Sequence, residues 1–374
     1  HRGVLFRQFS GVARAEKPRS AAGFGEALRV RGLTDTAAGL PTAALADEIL
    51  TPGEGQVRAL FVIGGNPLLS WPNQEKTRRA LESLELLVVI DPMLSATARH
   101  AHYVIGPRLG FESPAITFGN EGITVYGLSL GYPEPYAQYQ PALIEPPAGS
   151  DVLEDWRIFF ELGRHMGLPL AFRGQPFDMA SPPTTDQLLE AFVAKSRVPL
   201  EEIKRHPHGA IFPDPKPLAD PKPPDWPHRL QLAATSMMRE LTAVAAALPI
   251  AAEQIDRDYP WLLVTRREHA VYNSVGQRLP ALRKRLSHNP AYVHPEDADA
   301  LGLLDDMPIE IESRHGRTRA RVRLADDIRR GVISLAHGFE DANPAALIDD
   351  ASSFDALSGL PRMSAIPVRI LRAG

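Results

Sequence analysis

Cysteine is absent from all 374 residues. That removes disulfides, thiolate zinc sites, a cysteine nucleophile and any cysteine-ligated iron–sulfur cluster from this chain. Long apolar runs are missing as well, so nothing of about 18 residues is suited to span a bilayer. Neither sign of charge dominates: 41 Lys and Arg against 45 Asp and Glu leave a net charge of −4. This balance excludes a general nucleic-acid or membrane-surface binder. Walker A and H-E-x-x-H sequences are both absent. So is a G-x-G-x-x-G turn behind a strand; the nearest approach, Gly23-Phe24-Gly25-Glu26-Ala27-Leu28, lacks the third glycine. The chain opens on His1-Arg2-Gly3 without methionine or signal-peptide pattern, and residues 1–50 are read as the tail of a missing amino-terminal region. A cytoplasmic location is the expectation.

What is present is a soluble globular composition, 44% hydrophobic and 23% charged, in a length that suits two or three domains. The stretch that organises it is Val57-Arg58-Ala59-Leu60-Phe61-Val62-Ile63-Gly64-Gly65-Asn66-Pro67. Its first seven residues predict a central parallel strand covered on both faces. Gly64 and Gly65 then allow positive φ and close approach of a ligand. Asn66 tolerates a left-handed conformation, and Pro67 keeps it out of the helical region. A helix over Asn73–Leu84, a buried strand over Leu86–Ile90 and the pair Asp91-Pro92 complete a βαβ unit. In open α/β sheets ligands bind at the carboxyl ends of the strands.

The order predicts a Rossmann-like parallel α/β domain over 51–200. A third strand is expected over Ala101–Ile105. A helix over Asp151–Met166 should bury Val152, Trp156, Phe159, Phe160 and Leu162, and another over Thr184–Ala194 should be capped by Thr184 or Thr185. Residues 201–256 read as a proline-rich linker and helical connection, with eight prolines between Pro207 and Pro227. Residues 257–374 read as a small β-barrel domain. Trp261–Thr265, Tyr292–His294, Pro308–Ser313, Thr318–Leu324, Gly331–Leu335 and Ile366–Leu371 are its strands. A hairpin turns at Arg314-His315-Gly316, and Pro295–Gly302 is a short helix with proline at its start and glycine at its end.

The G-G-N-P-L turn, the V-V-I-D-P strand end and the run Ser95-Ala96-Thr97-Ala98-Arg99-His100-Ala101-His102-Tyr103-Val104-Ile105-Gly106-Pro107 together resemble the molybdopterin oxidoreductases. These carry a bis(molybdopterin guanine dinucleotide) cofactor and include formate dehydrogenases, nitrate reductases and dimethyl sulfoxide reductases. The resemblance runs from about Leu45 to the carboxyl terminus and stops short of the family's amino-terminal half. It implies a double-psi form for the barrel, and molybdenum or tungsten on the cofactor. In the family, the protein ligand to the metal and the iron–sulfur cysteines lie in the absent half. The expected partners are therefore that amino-terminal catalytic region or subunit and an electron-transfer partner. No catalytic or metal-ligating residue is expected within the chain itself.

Several residues are candidates for holding the dinucleotide. Gly65 and Asn66 form the turn, and Asp91 suits ribose hydroxyls or a guanine N–H edge, although Asp91-Pro92 equally opens a turn. Thr97 reads either as a phosphate contact or as an ordinary helix residue. Thr265, Arg266, Arg267, Tyr272, Asn273 and Ser274 pack guanidinium, hydroxyl and amide groups into the loop after the first barrel strand. Such groups suit a diphosphate and a pterin edge, and equally a polar surface loop. The resemblance adds Asp155, His337 and Asn343, with a dipole-stabilising acid and a structural histidine as the plainer readings of the first two. His100-Ala-His102 and His206-Pro-His208 are weak metal signals, and His102 stands where the family usually has Asp. After Phe111-Glu112 the family continues with a basic residue and glycine, whereas this chain has Ser113-Pro114-Ala115-Ile116. Phe118-Gly119-Asn120-Glu121-Gly122 then restores the pattern. The rivals are a non-catalytic scaffold subunit and an ordinary Rossmann dehydrogenase, the latter disfavoured by its missing fingerprint.

Overall fold

The structure is a computed structural model that describes residues 4–6, 22–36, 39–116, 136–194, 198–212, 219–221, 233, 235–253, 256–284, 286–351, 355 and 359–373. The chain divides into two compact units. One comprises His1–Ser20, Ile90–Pro92 and Ile105–Leu232; the other Ala21–Val89, Met93–Val104 and Ala233–Gly374.

The larger unit holds a small α/β layer and a closed barrel. In the α/β layer the strands Ala59–Ile63, Leu86–Ile90 and Tyr103–Ile105 form a three-stranded sheet in that order. The N–H of Leu86 donates to the Arg58 carbonyl and that of His102 to the Leu87 carbonyl, so the strand beginnings lie side by side. Leu87, Val88 and Val89 are buried, as a central strand requires. The expectation that Ala59–Ile63 is the covered central strand is corrected. It lies at one edge, where only Val62 is buried and Ile63 is 51% exposed. Its apolar composition could not reveal that the third strand pairs on the far side of Leu86–Ile90.

The turn also differs in detail. Gly64 has φ +57°, while Gly65 is not left-handed. Asn66 is extended at φ −136°, ψ 70°, as the following proline dictates. Pro67 starts an unexpected one-turn helix, Pro67–Ser70, before the helix Gln74–Glu82. Asn73 caps that second helix, its Oδ1 accepting from the Lys76 N–H at 3.2 Å. Thr77, Ala80 and Leu81 face inward at helical spacing, onto a core with Ile49, Leu68, Leu69, Trp71 and Leu87. The Gly23-Phe24-Gly25 segment lies inside a strand, Ala22–Ala27, that pairs with Thr34–Thr36. It therefore forms no phosphate turn.

The barrel closes through six strands. Trp261–Arg266 neighbours Val332–Ala336, then follow Pro290–Val293, Arg317–Leu324, Pro308–Glu312 and Ser364–Arg372, which returns to the first. Strict alternation builds it: Ile309, Ile311, Ala320 and Val322 point into the core while Arg317, Arg319, Arg321 and Arg323 are exposed. Each fully buried Ile or Leu contributes roughly 1.5–3 kcal/mol. The helix Pro295–Leu301 begins on proline and ends at Gly302, as expected.

In the other unit the helix Asp155–His165 buries Ile158, Phe160 and Gly163, whereas Leu162, expected inside, is 39% exposed. Leu170 packs against bare Gly163 and completes the face that a purely periodic reading assigned to Leu162. Phe160 meets Trp156 and Phe177 edge to face, with ring centroids 6.4 and 5.9 Å apart. Thr184 makes a capping box with Gln187 at the start of Thr185–Val193. Ala115–Ile116 pairs with Tyr139–Gln140, while Phe118–Gly122 lies outside the described residues, as does most of the proline-rich segment. Within that segment, Ala219–Pro221 is extended and pairs with Val4–Phe6.

Candidate functional site

The Asn66 side chain is oriented from inside. Its Oδ1 accepts from the Thr97 hydroxyl at 2.8 Å and from the Thr97 N–H at 3.2 Å, and Thr97 Oγ1 in turn accepts from the Leu68 N–H at 3.1 Å. Thr97 is fully buried, so it is a bracket for the turn and not a phosphate contact. Both of its donors face the amide oxygen, which fixes the Asn66 amide group and turns its NH₂ the other way. That NH₂ has no partner among the described residues. His102 Nδ1 accepts from the Leu87 N–H at 2.9 Å, a structural role an aspartate oxygen can also fill.

On the barrel, the strand Trp261–Arg266 delivers the loop that the sequence singled out. Its two arginines part company. Arg266 lies over the Tyr292 ring at 3.9 Å and donates to Glu268 Oε1 at 2.6 Å, the Ser334 carbonyl at 2.6 Å and the Pro290 carbonyl at 3.1 Å. Every nitrogen of that guanidinium is engaged in holding strands together. Arg267 is exposed, and one of its terminal nitrogens donates to both Asn273 Oδ1 and His337 Nε2, the latter at 2.9 Å. Its remaining N–H groups have no partner among the described residues.

His337 must be neutral to accept that hydrogen bond. Burial pushes its pKa below the ordinary 6.5, the contact of its ring with the Arg266 carbonyl opposes this, and the Arg267 charge depresses it further. Tyr272 is 80% exposed and its backbone closes a small turn with Val275. Asn273 adopts φ +54°. The hydroxyls of Thr265, Tyr272 and Ser274 have no hydrogen-bond partner among the described residues.

Four residues outside the expected set complete the arrangement. Gln277 donates to the carbonyls of Ser274 at 3.2 Å and Gly338 at 2.6 Å, and accepts from the Glu340 N–H at 3.0 Å. It clips the loop onto the segment after Val332–Ala336. Arg278 donates to the Leu94 carbonyl at 2.6 Å and to Glu340 at 2.7 Å, while Arg99 reaches the other Glu340 oxygen at 2.8 Å. These bonds tie the barrel to the residues that follow Leu86–Ile90. Beside them lies a half-open cavity of about 500 Å³ lined by Gln277, Arg278, Arg283, Phe339, Glu340 and Asp341. Periodicity carries no signal for such contacts, though all four are polar residues next to segments already under suspicion.

Asn343 is 2% exposed and acts as a strut. Its amide donates to the Leu69 carbonyl at 3.1 Å and its oxygen caps Ala345 at 3.0 Å. Asp91 and Asp155 belong to the other unit. The Asp91 N–H donates to the Ile105 carbonyl at 3.2 Å. Asp155 opens its helix, has no hydrogen-bond partner among the described residues, and has its pKa raised by burial. Among the described residues no three His, Asp or Glu are grouped to hold a metal ion, and His206 packs on Phe212.

Several known proteins are similar to this chain. The family described as "Molydopterin dinucleotide binding domain" matches residues 261–367. An F420-dependent formate dehydrogenase subunit alpha of Methanocaldococcus jannaschii is 24% identical over 338 residues, covering 87% of this chain and 45% of its own length. The assimilatory nitrate reductase catalytic subunit of Bacillus subtilis is 23% identical, covering 85% and 42%. Among solved structures, acetylene hydratase from Pelobacter acetylenicus superposes with a TM-score of 0.61 at 21% identity, over 90% of this chain and 47% of that one. The chain thus spans just under half the length of these relatives.

Proposed function

We propose, from the premise that this chain is a relative of the molybdopterin oxidoreductases with their dinucleotide-binding domain over residues 261–367, that it binds the guanine form of that dinucleotide on the rim formed by 265–278 and 337–341. The observation that carries the reading is the set of idle donors on one loop. Among the described residues nothing engages the remaining N–H groups of Arg267 or the hydroxyls of Tyr272 and Ser274, around an Asn273 whose oxygen is already taken. A diphosphate and the heteroatom edge of a pterin need donors of this kind. Asn66 presents its NH₂ from the α/β layer of the same unit. Arg266 and Asn343 support the site from behind.

The bound cofactor would supply molybdenum or tungsten redox chemistry. The chain's part is to grip the diphosphate, orient the pterin and keep water away. Two pairs of parallel strands within the barrel, Trp261–Arg266 with Val332–Ala336 and Pro290–Val293 with Arg317–Leu324, support a double-psi form. The side-by-side strand beginnings support a Rossmann-like α/β layer. An amino-terminal catalytic portion and an electron-transfer partner complete the proposed enzyme, located in the cytoplasm. A purely scaffolding subunit would leave the idle donors without a use.

The test is calorimetry of the 374-residue chain with GDP and with pyrophosphate, beside dye-linked assays of formate oxidation and nitrate reduction. Micromolar to millimolar binding without turnover is expected, because the relatives' lengths are only about half covered. No binding of either ligand, or robust turnover by the chain alone, overturns the reading.

A further inference from the structure

The cavity beside Arg278 is charge-balanced as it stands. Arg278 and Arg283 line it together with Glu340 and Asp341. Arg99 and Arg278 converge on the two Glu340 oxygens at 2.8 and 2.7 Å, and both also donate to the Leu94 carbonyl, at 3.4 and 2.6 Å. Two guanidinium forks around one anion make the geometry in which a phosphate is held bidentately. Here the anion is part of the chain. It is not deeply buried: the side chains of Glu340, Arg99 and Arg278 are 36%, 39% and 37% exposed. Ion pairs this exposed are weak enough to exchange. Arg283 has no partner among the described residues, so one cation in the cavity is already unspent.

We propose that Glu340 is a displaceable internal anion: its carboxylate stands where a phosphate group binds, between Arg99 and Arg278, and leaves when that phosphate arrives. This rests on the dinucleotide reading above and adds a gate to it. With Glu340 in place the cavity is neutral and offers a dianion little. With Glu340 swung out, Arg278 and Arg283 line the cavity with Asp341 as the one lining carboxylate left among the described residues, and that carboxylate also accepts from the Asn289 N–H at 3.3 Å. No covalent change is involved, and the exchange swaps one anion for another on the same donors. Holding the arginines in an internal pair also keeps the empty rim from collecting stray anions.

The experiment measures pyrophosphate and GDP binding by the full chain, by Glu340→Gln and by Glu340→Ala, with melting temperatures taken with and without ligand. Removing the competing charge should tighten pyrophosphate binding roughly fivefold in both variants, the scale of a partly exposed ion pair. Melting of the free variants should fall and be restored more by pyrophosphate than in the parent chain. Adding Arg283→Ala should cancel the gain. If the parent binds GDP but neither variant binds pyrophosphate more tightly, the gate is wrong while the dinucleotide reading stands. If neither the parent nor the variants bind either ligand, both fall. Glu340→Gln preserves shape, so a failure of Glu340→Ala to fold leaves the question decided by the isosteric variant.

Discussion

Gly338 lies against Asn273 so closely that a Cβ built on it would stand 2.1 Å from the Asn273 carbonyl oxygen. Two segments distant in sequence, the loop after the first barrel strand and the H-G-F turn after the fifth, are thereby pressed together. The backbone at Gly338 is left-handed, φ +82°, so a side chain is unwelcome there for two reasons. The contact sets the spacing between Arg267, Asn273 and His337, and hence the shape of the donor rim.

Gly338→Ala is therefore expected to cost about 3 kcal/mol of stability, combining strain at positive φ with the displaced loop. Urea denaturation reads the loss directly. GDP affinity should fall with it, since Asn273 cannot keep its place. A Gly338→Ala chain with unchanged midpoint and unchanged affinity would show that the two segments do not need each other.

His337 gives the site a pH dependence of definite sign. Its folded pKa is lowered from 6.5, first by burial and also by Arg267, so the unfolded chain binds the proton more readily than the folded one. The stability contribution is complete above 6.5 and shrinks as pH falls from there to the folded pKa, below which it changes no further. Stability should thus rise with pH across that window more steeply in the parent chain than in His337→Gln. Melting curves at pH 5 and pH 7.5 for the two proteins give the difference. Equal slopes would mean that the ring is not held neutral by its surroundings.

Away from the rim, Asp350 anchors the α/β layer to the barrel. It is 6% exposed, pairs with Lys76 and Arg31, and accepts from the Asn73 amide at 2.9 Å, while Asp47 pairs with the same two cations. Burial alone would raise its pKa, but the Lys76 and Asn73 hydrogen bonds and the charges of Lys76 and Arg31 hold it below 3.8. Its contribution is present above the unfolded value and is lost as pH falls through the folded one. Asp350→Asn should cost about 2 kcal/mol near neutrality, moderated because Asp47 still pairs with both cations. Chemical denaturation at pH 7 and pH 3 should show the gap between the two chains narrowing in acid.

Much of the barrel was legible because alternation is a local signal. Pro308–Glu312 and Arg317–Leu324 announce their inward residues every second position, and the turn between them needs only Arg314-His315-Gly316. Pro295 and Gly302 mark a helix by local chemistry in the same way. The edge position of Ala59–Ile63 was not legible, since strand order is a tertiary fact. Nor was the division of labour between Arg266 and Arg267, adjacent residues of which one braces the barrel and the other faces solvent. Glu340 meets Arg99 across 241 positions and Arg278 across 62. No window of sequence holds those partners together.

The bracket behind Asn66 offers the most local test of the turn. Thr97→Val keeps the shape of a fully buried side chain and deletes only the hydroxyl. The Leu68 N–H then loses its acceptor, and Asn66 Oδ1 keeps only the Thr97 N–H. A buried donor left unsatisfied costs about 1–3 kcal/mol, so the variant should be less stable by roughly 2 kcal/mol in urea. With one of its two constraints gone, the Asn66 amide is free to rotate, and its NH₂ no longer points one way. If that NH₂ contributes to the ligand, GDP binding should weaken by a few-fold beyond any effect of Thr97→Ser, which retains the hydroxyl. Equal GDP affinities for Thr97→Val and Thr97→Ser, at a clear difference in stability, would assign the bracket to folding alone and remove Asn66 from the binding surface.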